Sequence, residues 1–89
     1  MSVDTAELLL RTGLRHFVSA ANAEAAQAEI ERLGGTALDA ADFAAAIAAL
    51  LRDGLIREPI RLEDQSLQCH WRLELTPAGV ARARTLTGA

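Results

Sequence analysis

The sequence predicts a mainly α domain with one small β-hairpin, in the order helix, helix, helix, strand, strand, helix. Three stretches carry that prediction. The run 39–56, DAADFAAAIAALLRDGLI, is a capped helix ending at a glycine and an apolar pair. The run 68–75 alternates apolar and polar residues, and LTPAG at 75–79 then opens a last helix. Eighty-nine residues bound the chain at one domain, 1–89, and at that size only about 60% of the unfolded chain's surface leaves water.

Composition narrows the function classes. Hydrophobic residues make up 51% of the chain, many of them alanines, which favour helix but bury little area each. Nine arginines face twelve acids, for a formal charge of -3 and a pI near 5.2. That balance argues against a generic polyanion binder, because affinity for nucleic acid comes largely from cations set on phosphates. The single cysteine, Cys69, allows neither an intrachain disulfide nor a cysteine-based zinc site. With no basic leader and no bilayer-length apolar run, a soluble cytoplasmic protein is expected.

The elements follow in order. Asp4 and Glu7 are spaced as a capping box, and Ala6, Leu9, Leu10, Gly13, Leu14, Phe17, Val18 and Ala21 recur at three- and four-residue intervals. They predict an N-terminal helix within 1–21, with Arg11 and Arg15 on its other side. Asn22 caps a second helix whose Ala26, Ile30 and Leu33 face inward, and Gly34-Gly35 stops it. Thr36 to Leu38 forms the turn, with room for a very short strand near Thr36. Asp39 caps the third helix, whose buried ridge is Phe43, Ile47, Leu50 and Leu51 before the stop at Gly54.

Beyond it Ile56, Ile60 and Leu62 share a side of an extended segment, in which Pro59 marks an edge or a bulge. Glu63 to Leu67 is the loop. Cys69, Trp71, Leu73 and Leu75 then alternate with Gln68, His70, Arg72 and Glu74, giving one apolar and one wet face. Trp71 is the expected anchor under the sheet. Thr76 caps the last helix with Pro77 in its first position, and Val80, Ala83 and Leu86 pack back.

LLRDGLIREP and WRLELTPAGVARAR resemble the winged helix-turn-helix domains of bacterial regulators of the MarR and PadR type, over roughly Ala23 to Arg84. The first resembles the end of a recognition helix entering a wing strand, the second the other wing strand and the helix after it. That resemblance implies a third helix lying in the major groove. It also implies a homodimer built by terminal helices, here 1–21 and the last helix.

The outward face of the third helix departs from that pattern. With Phe43, Ile47 and Leu50 buried, Ala41, Asp42, Ala45, Ala48 and Ala49 face out, with Arg52 at the far end. Reading bases takes bidentate donors supplying about 1–3 kcal/mol each, and alanine offers at most a methyl contact. Asp42 has the wrong sign for phosphate, and so do Glu63 and Asp64 at the wing tip. The expected function is therefore a non-catalytic module working through protein contacts, with that alanine face as its docking surface. The alternative is a transcriptional regulator that touches DNA through Arg57, Arg61, His70 and Arg72 on the hairpin.

An enzyme is not expected. His16 and His70 lie in different elements, and no Ser, Cys or carboxylate stands at nucleophile-and-base spacing. Two lone histidines make no metal triad, Gly34-Gly35 lacks the pattern of a phosphate loop, and no cofactor or small-molecule substrate is expected.

Overall fold

A computed structural model describes residues 5–62 and 69–87. Helix α1 spans Thr5–Arg15, strand β1 Val18–Ala20, helix α2 Ala23–Gly34 and helix α3 Ala40–Arg52. Strands β2 (Ile60–Leu62) and β3 (Cys69–Leu73) and helix α4 (Pro77–Thr87) complete the order. The fold is mainly helical, with a small antiparallel sheet ordered β1-β3-β2.

Side-chain caps set the helix ends. Asn22 accepts the Ala25 amide at 2.8 Å, and Asp39 accepts that of Ala41 at 3.1 Å. Thr76 does two jobs, accepting the Gly79 amide at 3.1 Å and donating to the Gly54 carbonyl at 2.7 Å. The second bond ties the start of α4 to the end of α3. Gly35 closes α2 at φ +68, returning its amide to the Glu31 carbonyl.

The turn between α2 and α3 is held by side chains of α2. Glu31 Oε2 accepts the Leu38 amide and Gln27 donates to the Leu38 carbonyl, each at 2.8 Å. Both main-chain groups of Leu38 are thereby satisfied without a ladder. No strand forms near Thr36, contrary to the sequence expectation, because this backbone is already engaged with α2.

The third strand lies at Val18–Ala20 instead. Val18 pairs with Leu73 and Ala20 with Trp71, so β1 is the far neighbour of the hairpin's second strand. The predicted helix within 1–21 therefore ends at Arg15, and the order gains a strand between the first two helices. Leu14, Phe17, Val18 and Ala21 fit a helical stripe by spacing, but Val18 is buried while Phe17 is 73% exposed. Alternation of burial marks a strand, not a helix.

One face of the sheet closes the core. Val18, Trp71 and Leu73 lie under it with Leu9 and Leu10 of α1, Ile30 of α2, and Phe43, Ala46 and Leu50 of α3. Trp71 meets Phe43 at a ring-centroid distance of 5.8 Å, tilted by 35°. Helix α1 is the central rod, packing on α4 and α3 and more lightly on α2. Ala46 joins the buried ridge of α3, where Ile47 and Leu51 are only half-buried.

Pro59 sits where the sequence places it, just ahead of an edge strand. The bridge Ile56–Leu75 and the pair Ile60–Trp71 keep one register, so no bulge intervenes. Ile60 corrects the expected inward trio. It is 55% exposed, because it stands on the edge strand beyond the helices that cover Trp71. Asp4 and the loop Glu63 to Leu67, with Gln68, lie outside the described residues.

A candidate protein-docking face and a half-occupied hairpin

The outward side of α3 is placed by the ridge opposite it. With Phe43, Ala46 and Leu50 buried, Ala41, Asp42, Ala45 and Ala48 are exposed, joined by Ala40 and Ala44. Ala49 departs from the expectation and is half-buried, rotated toward the body of the protein. Arg52 closes the face with a side chain 77% exposed, and its Nε lies 3.6 Å from Asp53 Oδ1. Asp39 at the N-cap, Asp42 in the first turn and Asp53 at the end make the surroundings acidic. Such a surface lets another backbone approach closely, and its one bidentate donor, Arg52, stands at the far end beside Asp53.

Of the four hairpin residues expected to serve DNA, Arg57, His70 and Arg72 fall on the opposite side of the sheet from the core. In the register, Arg61 faces His70, Ser19 faces Arg72, and the Arg57 amide donates to the Glu74 carbonyl. The strands thus bring all four positions to one sheet face, as the sequence proposes. Three of them are already engaged or enclosed. His70 Nε2 shares a 2.9 Å hydrogen bond with Ser19 Oγ, and Arg57 Nε lies 4.0 Å from Glu74 Oε2. Arg72 is half-buried with its Nε sealed from solvent, and its amide donates to the carbonyl of the buried Pro59. Of Arg61 only the backbone is described.

Two exposed apolar side chains were not anticipated. Phe17 borders a groove of about 500 Å³ lined by Leu14, Leu73, Leu75 and Val80, and Ile60 borders a smaller one beside Trp71. For Phe17 the signal existed in the sequence: Phe-Val-Ser-Ala reads equally as two residues out and two in. Among the described residues no group of three His, Cys, Asp or Glu could hold a metal ion. On α2 a hydrogen bond from the Arg32 guanidinium holds the exposed Glu29 carboxyl below its ordinary range. No helix among the described residues is long and apolar enough to cross a membrane. No family model, curated protein or solved structure matches the chain.

Proposed function

We propose that this chain is a winged-helix module without catalytic activity, acting through protein contacts as a small regulator or adaptor. The α1-β1-α2-α3-β2-β3 order, with β3 central in the sheet, supports the winged-helix reading. One observation carries the function: the exposed side of α3 is alanine and aspartate, with its one arginine beside Asp53. A helix used on DNA needs donors there, whereas a helix used on protein needs a smooth surface. The occupant is a partner helix or a second copy of the chain. Transcriptional regulation through DNA is disfavoured, because three of the four hairpin side chains named for it are engaged or enclosed.

A photoreactive amino acid placed at Ala45 in cells tests the reading. The account expects a discrete protein adduct that a probe at the exposed Arg82 on α4 does not give. A nuclease-sensitive adduct, or a pattern identical to that from position 82, contradicts it.

A further inference from the structure

A cleft of about 450 Å³ opens where α1, the end of α2 and α4 meet. Arg11 and Arg15 line it from α1 and His16 from just beyond it, Leu33 and Thr36 from α2 and the turn after it, and Leu86 from α4. The chain has more carboxylates than arginines, yet none of the described carboxylates lines this cleft. Glu29 on α2, hydrogen-bonded by Arg32, lies outside the cleft.

Arg15 has a local reason to be there, since a cation in the last turn of α1 opposes the negative end of the helix dipole. Arg11 has none. It stands one turn earlier and half-buried, and its Nε is sealed from solvent without a hydrogen-bond partner. Enclosed donors are nearly always paired, and cations four residues apart on a helix repel. An anion seated between the two arginines removes the repulsion and offers acceptors to the parts of both side chains that line the cleft, the enclosed Nε of Arg11 being out of its reach.

We propose that this cleft binds a small organic anion, one carboxylate toward Arg11 and Arg15 and an apolar body against Leu33 and Leu86. The guanidinium fork matches a carboxylate in two places. The half-buried leucines select a ligand with a hydrocarbon part over inorganic phosphate, which would leave them facing a hydrated ion. A volume near 450 Å³ is in the range of small-molecule sites. The site is separate from the α3 face and stands or falls independently of it.

The test is a titration of the full chain with hexanoate, hexanol and inorganic phosphate in parallel, followed by backbone amide shifts. Hexanoate is expected to move amides of residues 11–16 and 33–36. Arg11→Gln should weaken it at least tenfold, about 1.4 kcal/mol. Arg82→Gln, on the exposed side of α4, should leave it unchanged. If Arg11→Gln does not fold, Arg15→Gln, at an exposed position, should show the same loss. The proposal is overturned by no localised shift up to about 10 mM hexanoate, by hexanol or phosphate binding as tightly, or by undiminished binding in the folded variant.

Discussion

At Gly79 a methyl group would stand 1.9 Å from the Leu55 carbonyl oxygen, a main-chain atom that cannot swing aside. This is the point where the first turn of α4 crosses the chain leaving α3, and Thr76 hydrogen-bonds the same junction. Gly79→Ala should therefore cost about 3 kcal/mol or more, the upper range for forcing a group into packed structure. Gly35 offers the contrast: nothing lies within 4 Å of its missing side chain, and only its φ of +68 resists substitution. Gly35→Ala should cost about 1–2 kcal/mol. Urea unfolding of the two variants ranks them, and equal losses would contradict the placement of α4. The sequence shows Gly35 as a helix stop, because a glycine after a periodic run has a local meaning. It does not show the role of Gly79, which depends on a contact 24 positions away.

The elements were legible where their signals are local. The caps at Asn22, Asp39 and Thr76, the alternation over 70–73 and the edge position after Pro59 all come from neighbours in sequence, and each is found in place. Strand β1 was not legible, because Val18 satisfies both a helical spacing from Leu14 and a two-residue alternation. The choice is made by Leu73, which is far away in the chain and pairs with Val18. Phe17 reports on that choice directly. With α1 ended at Arg15 and β1 begun at Val18 it points to solvent, so Phe17→Ser should change stability by less than about 0.5 kcal/mol. A loss of about 3–5 kcal/mol, as for a buried phenylalanine, would restore the longer helix. The turn before α3 gives a second element-level prediction. Glu31→Ala strands the Leu38 amide and should cost about 1–3 kcal/mol, while Glu31→Gln keeps an acceptor and should recover most of it. Thermal unfolding of the pair decides, and equal losses from both variants would remove the carboxylate from the turn.

Over the whole molecule, charge and shape divide the surface into regions of different chemistry. The α3 face is smooth with aspartates near both ends, the open sheet face holds polar side chains largely tied to neighbours, and a cleft lined by none of the described carboxylates lies where α1, the end of α2 and α4 meet. Most of the α3 face was readable from the sequence, because a 3.6-residue period fixes which side is out once the ridge is known; Ala49 was misplaced, and Ala40 and Ala44 were missed. The cleft was not, since Arg11 and Leu86 meet only through the packing of first helix on last. The proposed role rests on the first region. Titration of random duplex DNA into the protein at low salt, read by fluorescence anisotropy, tests it most directly. The account predicts no saturable binding at micromolar protein. Micromolar binding that weakens steeply as salt rises, the mark of counterions released from phosphates, would contradict it.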